Sequence, residues 1–165
     1  MEEVFKWLLT VGSASVAAYV GSWLALGKAK KEKVWLQKQE AYLNIIEALH
    51  NTIIWADEEY AVNFPYPLPT VSKEKLHELR SNQDRAMEVL RKHVHLGELV
   101  VSKSASDKLE TMLSEYYGEE FRFYDDPSLH DNQSDEASKH YQKLRELAEQ
   151  HIKEIKDIAK SDLGL

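Results

Sequence analysis

The chain contains no cysteine among its 165 residues. That excludes a disulfide framework, a thiolate zinc site, an iron–sulfur cluster and a cysteine nucleophile. Glycine and proline are scarce, at six and four, and hydrophobic residues make up 43% against 30% charged. Neither a collagen-like nor a disordered chain has that profile. Basic charge is outnumbered, with 21 Lys and Arg against 28 Asp and Glu. The net charge of −7 argues against a general basic surface, so nucleic acid is not an expected partner. No Gly-rich phosphate loop, H-E-x-x-H or G-x-S-x-G occurs, and the chemistries built on those motifs lack their residues. No cofactor is expected.

What the chain does have is one long uncharged run. Residues 7–26 read WLLTVGSASVAAYVGSWLAL. At 1.5 Å rise per residue, a helix of this length spans ~30 Å, the thickness of a bilayer's hydrocarbon core. Trp7 stands at one end and Tyr19 and Trp23 towards the other, where amphipathic rings favour the headgroup boundary. A cleaved signal peptide wants a basic start and a small-residue cleavage site. This chain starts Met-Glu-Glu and offers no convincing A-x-A, so residues 1–27 are expected to be a retained transmembrane anchor. Lys28, Lys30, Lys31 and Lys33 follow the run, whereas Glu2 and Glu3 precede it. The positive-inside rule then places residues 28–165 in the cytoplasm, on a single-pass protein of the inner membrane with the bilayer as its first partner. The same lysines can also meet anionic lipid.

The run is rich in small residues. Ala14, Ala18 and Ser22 form one ridge at four-residue spacing, and Ala17, Gly21 and Ala25 form another. Such ridges let helix backbones approach closely in lipid. A lone anchor has no partner helix in its own chain, so a homo-oligomer is expected. Two ridges at an angle allow each helix two neighbours, the geometry that closes into a ring.

Residues 28–165 read as helices throughout. Trp35, Tyr42, Ile46, Leu49, Ile53, Ala56 and Tyr60 recur every three or four positions, and no Gly or Pro interrupts residues 28–63. The anchor is therefore expected to continue into this helix. It must end before Phe64-Pro65-Tyr66-Pro67-Leu68-Pro69, a stiff connector. Ser72 or Thr70 can cap a second helix with Leu76, Leu79, Ala86, Leu90 and Val94 inward and Gly97 as its stop. Leu99, Val100 and Val101 read as buried linker or a brief continuation. Ser104-Ala-Ser-Asp107 resembles a capping box and opens a shorter third helix carrying Leu109, Met112, Leu113 and Tyr116. Residues 118–133 read as irregular. Ser134, with Asp135 and Glu136 in the first turn, opens a last helix with Ala137, Tyr141, Leu144, Ala148, Ile152, Ile155 and Ile158 inward. The expected fold is all-α: an amino-terminal transmembrane helix continuing into a cytoplasmic four-helix bundle.

Acidic charge is concentrated. Residues 107–136 hold ten acidic groups against Lys108 and Arg122, and five aromatic residues lie among them (Tyr116, Tyr117, Phe121, Phe123 and Tyr124). This segment reads as a solvated loop with its aromatic residues tucked against the bundle, or as a surface that could dock a basic protein partner. Asp131-Asn-Gln-Ser-Asp135 superficially suggests a calcium loop, but the required glycine is missing and Gln142 stands at the twelfth position. Glu47-x-x-His50 and Glu74-x-x-His77 match a di-iron bundle pattern, yet they fall beside the apolar stripes rather than in them. His93 and His95, two apart, splay away from each other on a helix. No metal site is expected.

Arg145 and His151 fit the loose Arg-(four to six residues)-His signature of HEPN-type ribonuclease domains, which chance alone readily supplies among five arginines and seven histidines. Six residues along a helix turn through ~600°, which leaves the two side chains on different faces. In outline the chain resembles bacterial single-span, membrane-anchored helical-bundle proteins. The resemblance rests on the span, the basic junction, the run KQEAYLNIIEAL at 38–49 and the ending SDLGL at 161–165; it brings no known catalytic residues. Through its architecture and the Arg145/His151 pair it is also similar to the membrane-anchored HEPN-like accessory proteins of RNA-targeting CRISPR systems, which assemble into membrane pores. The first resemblance implies a non-enzymatic anchored oligomer, scaffold or membrane effector. The second implies an antiviral, membrane-disrupting pore, and the HEPN signature taken alone implies a ribonuclease with Arg145 and His151 as its catalytic candidates.

Overall fold

The computed structural model describes the backbone of residues 2–66, 70–125 and 133–165, and the side chains of 28–66, 70–97, 99–125 and 134–165. The described residues are all-α, in four helices: α1 (Glu2–Asn63), α2 (Lys73–Val100), α3 (Lys103–Asp125) and α4 (Gln133–Leu163). No strand occurs among the described residues. Contacts divide the chain into two units, Met1–Gln37 and Lys38–Leu165.

In the first unit, all side chains of residues 28–37 are exposed, Lys28, Lys30, Lys31 and Lys33 included. Trp35, expected on the buried stripe, is 38% exposed. Among the described residues no helix is long and apolar enough to cross a membrane. The run at residues 7–26, with Ala14, Ala17, Ala18, Gly21, Ser22 and Ala25, lies outside the residues whose side chains are described.

The second unit holds the core. α1 buries Tyr42, Leu49 and Ala56 as its periodicity requires, but Ile46, Ile53 and Tyr60 are only half-buried. Their expected places go to Ile45, Thr52, Trp55 and Glu59. The two polar side chains among them have partners: Thr52 Oγ1 donates to the Ala48 carbonyl at 3.1 Å, and Glu59 pairs with Arg80 on α2. A buried polar group is tolerated when it is hydrogen-bonded. At the other end of the unit, Tyr42, buried on α1, donates its hydroxyl to Asp162 on α4. It also accepts from the Ser102 N–H at 3.4 Å, tying α1 to α4 and to the α2–α3 turn.

Caps explain where α2 and α3 begin. Ser72, in extended geometry, accepts from the Lys75 N–H, and Ser102 Oγ accepts from the Ala105 N–H at 3.3 Å. Ser102 therefore caps α3, which starts at Lys103 rather than within the Ser104 box. Gly97 is not a stop. The helix runs on to Val100, so Leu99 and Val100 are the brief continuation rather than a buried linker, and Leu99 is 86% exposed. α3 likewise continues through Gly118 to Asp125, where irregular structure was expected, because Glu119, Glu120 and Phe123 all engage His140 on α4.

What Gly97 provides is room. A Cβ there would meet Ser106 Oγ at 2.8 Å and Ser106 Cβ at 2.9 Å, at the point where Ser106 Oγ donates to the Val94 carbonyl. Gly97→Ala gains helix propensity yet forces α2 and α3 apart, so a net loss of about 1–2 kcal/mol is expected. Urea melts would measure it, and adding Ser106→Gly should recover most of the loss.

Three groups with partners or burial in the second unit contribute to the acid stability. Burial, helped by Lys92, pushes the His93 imidazole below its ordinary 6.5. Burial raises the Glu119 and Asp162 carboxyls, but hydrogen bonds from Arg122 and His140, and from Tyr42 and Ser102, outweigh it and hold both below the usual carboxylate range. In each case the unfolded chain binds its proton at a higher pH than the folded chain, so stability rises with pH across the gap. The expected profile falls in two stages on acidification: the His93 contribution is lost below 6.5, then those of Glu119 and Asp162 below their ordinary values of 4.5 and 3.8. Urea midpoints measured across pH would show both stages, and His93→Gln should remove the first alone.

Candidate functional site

All four helices of the second unit border one cavity of about 820 Å³. α1 contributes Trp55 and Glu59, one turn apart. α2 contributes Arg80, Gln83, Asp84, Met87, Glu88 and Arg91, an unbroken stripe at helical spacing. Tyr116, Tyr117, Glu120 and Tyr124 come from α3, and Tyr141 from α4. The lining thus combines five aromatic rings, four carboxylates and two guanidiniums.

Its charges are arranged, not scattered. The Glu59 side chain is 2% exposed and is held by a bidentate pair in which Arg80 Nε donates to Oε1 and Nη2 to Oε2, the latter at 2.9 Å. That hydrogen bonding keeps the Arg80 guanidinium more firmly charged than an isolated one. Arg91 donates through Nε to the Tyr117 hydroxyl at 2.6 Å and lies 5.3 Å from the centre of that ring. Trp55 meets Tyr141 edge-on at 5.4 Å, and Tyr116 meets Tyr117 likewise at 5.6 Å. Burial pushes the Tyr116 and Tyr141 phenols above their ordinary 10, so both stay protonated at neutral pH.

Two polar atoms of the lining residues lack a protein partner. Gln83 donates through Nε2 to the Tyr116 hydroxyl at 3.1 Å and leaves Oε1 unbonded, and the Trp55 Nε1–H is unbonded as well. Both residues are more than nine-tenths buried. Turning the Gln83 amide over would only exchange one unbonded end for the other. Two of its tyrosines are thus held protonated, and its buried acid, Glu59, is locked to Arg80.

The residues singled out from the sequence lie elsewhere. Arg145 donates to Asp57 on α1 at 3.0 Å and lies 3.5 Å from Glu149. His151 is fully buried and bonds through Nε2 to Glu115 on α3 at 2.9 Å, with Nδ1 3.5 Å from Glu154. The two side chains engage different helices and share no partner. Glu47, His50, Glu74 and His77 are exposed; His93 is buried and His95 exposed. Among the described residues no group of three or more His, Asp or Glu could hold a metal ion. Glu119 and Glu120 approach opposite nitrogens of His140 and so do not converge on one point. Within the acidic–aromatic segment 107–136, residues 107–125 belong to α3, and Phe121 and Tyr124 stand 69% and 60% exposed rather than tucked against the bundle. Asp131 lies outside the described residues.

The cavity was missed because its signal is a breach of pattern. Glu59 and Gln83 each occupy an inward position of a helix where an apolar residue is expected, and motif matching does not register such substitutions. By fold this is an all-α four-helix bundle with a polar, aromatic-lined cavity between its helices. No protein-family model, curated protein or solved structure matches the chain.

Proposed function

We propose that this chain is a single-pass, membrane-anchored helical bundle that self-associates and acts non-enzymatically, as a scaffold or membrane effector, from the cytoplasmic face of the inner membrane. The observation that carries this reading is the uncharged run at residues 7–26, closed on one side by Lys28, Lys30, Lys31 and Lys33. Exposure of those four lysines suits a position beside anionic headgroups. The separate engagements of Arg145 with Asp57 and of His151 with Glu115 favour a non-enzymatic role over a ribonuclease, which needs the pair together. The exposed Phe121 and Tyr124 among the carboxylates of α3 are the surface offered to a basic partner.

Protease protection on spheroplasts tests the topology. A carboxyl-terminal tag should survive external protease until the cells are lysed, and digestion from outside overturns the orientation. Native mass spectrometry in mild detergent tests assembly. The wild type should appear as an oligomer, and Gly21→Leu should lower its size without preventing insertion, because it separates the helices while making the run more hydrophobic. A wild type that is monomeric across several mild detergents removes self-association from the reading.

A further inference from the structure

We infer that His140 is a proton-operated clasp: with both ring nitrogens protonated it joins Glu119 to Glu120 and holds the last two turns of α3 on α4, and loss of one proton releases them. This goes beyond the anchoring role and does not depend on it.

The count of donors requires the second proton. The His140 ring is fully buried, with Nδ1 3.3 Å from Glu119 Oε1 and Nε2 3.2 Å from Glu120 Oε1. An ionised carboxylate only accepts, and a neutral imidazole has one N–H and one lone pair, so it can satisfy one of the two. The imidazolium donates to both. In the neutral ring a buried lone pair faces a carboxylate oxygen with no proton between them, which is a hydrogen bond lost where water cannot replace it. Glu119 does not supply that proton. Burial raises its carboxyl, but hydrogen bonds from Arg122, through Nε at 3.0 Å and Nη2 at 2.6 Å, and from His140 outweigh this and hold it below its ordinary 4.5. The face of Phe123, stacked on the ring at 4.2 Å, also favours a cation.

The other groups around the ring leave the balance negative. From α3, Glu119, Glu120 and Arg122 are joined by Tyr124, whose ring centre is 6.2 Å away. On α4, Tyr141 stands at 5.0 Å and is kept neutral by burial, and Lys139 is engaged by Asp135 and Glu136. Beyond Tyr141, α1 and α2 contribute the Glu59–Arg80 pair, in which each charge offsets the other. Histidine is the side chain whose charge changes between about pH 5 and 8. The hold is thus complete while the ring carries both protons and is lost as pH rises. Phe121 and Tyr124, 69% and 60% exposed, ride on the held turns, so this proton governs the shape of that exposed aromatic surface.

The test follows the full chain in mild detergent from about pH 5.5 to 8.5, across the range in which histidine changes charge. Ring ¹⁵N spectra report the protons on His140, whose signals are identified by their loss in His140→Phe. Amide exchange, corrected for its intrinsic pH dependence, reports the hold. Both ring nitrogens should be protonated at the acid end and one deprotonated at the basic end. Over the same titration, protection of residues 119–125 should fall about tenfold relative to Leu109, Met112 and Leu113, the worth of one buried hydrogen bond. Glu120→Gln separates the clasp from simple packing. Its amide can accept from the imidazolium or, turned over, donate to the neutral ring, so protection should persist and its pH dependence disappear. The inference is overturned if His140 keeps one protonation state throughout, or titrates with no change in protection at 119–125. Unaltered pH dependence in a folded Glu120→Gln overturns it as well. The wild-type titration decides the matter even if that variant does not fold.

Discussion

Replacing Arg80 by alanine is expected to destabilise the bundle by about 2–3 kcal/mol, below the ~3–5 kcal/mol of breaking a fully buried pair. The loss comes less from the arginine, whose side chain is 55% exposed, than from Glu59, whose side chain is 2% exposed and would be left buried without its partner. Water entering through the space vacated by Arg80 accounts for the discount. The discriminating experiment is the double variant Glu59→Met with Arg80→Met. If the penalty belongs to the stranded carboxylate, the double variant should regain most of the lost stability in urea melts of the detergent-solubilised chain, and the two single effects should be strongly non-additive. Additive losses would mean instead that Arg80 stabilises mainly through the packing of its aliphatic stem.

The same pair marks the boundary of what could be read from the sequence. Elements with a local chemical cause were legible. Ser72 caps α2, the Phe64–Pro65–Tyr66–Pro67 stretch follows the end of α1 at Asn63, and Asp135 and Glu136 occupy the first turn of α4. The apolar residues Leu49, Leu79, Leu90, Leu109, Leu144 and Ile155 are buried, as their spacing requires. Features with a tertiary cause were not legible. Gly97 reads locally as a helix stop, yet serves as the point where α2 and α3 come closest at Ser106. Thr52, Glu59 and Gln83 read as exposed because polarity is the local signal, yet each is buried, with hydrogen bonds to Ala48, Arg80 and Tyr116 respectively. Glu59 and Gln83 line the cavity. Its geometry depends on four helices meeting, so no single stretch of sequence could announce it. Arg145 and His151 show the converse: they match a motif within one helix, and tertiary contacts then take them to different neighbours.

The largest single loss is expected at His140, where tertiary contact overrides local preference most clearly. Its ring is 0% exposed and stacks on Phe123 with centroids 4.2 Å apart and planes 9° from parallel. Tyr141 meets it edge-on at 5.0 Å, and its nitrogens lie 3.3 Å from Glu119 Oε1 and 3.2 Å from Glu120 Oε1. Phe123, Glu119 and Glu120 sit on the last two turns of α3, beyond Gly118, where glycine weakens the helix by about 1 kcal/mol relative to alanine. His140→Ala removes the surface on which these turns rest and leaves a void, so a loss of about 3–4 kcal/mol is expected, in the range for deleting a buried aromatic side chain. His140→Phe keeps the stack and removes only the polar contacts, so it should cost about 1–2 kcal/mol. Amide exchange localises the effect. In His140→Ala the protection of residues 119–125 should collapse well before that of Leu109, Met112 and Leu113, which are buried in the main core. If protection at 119–125 instead survives in the alanine variant, the end of α3 holds by its own propensity. Gly118 would then be an ordinary helical position, and the departure from the irregular segment expected there would need a local cause rather than His140.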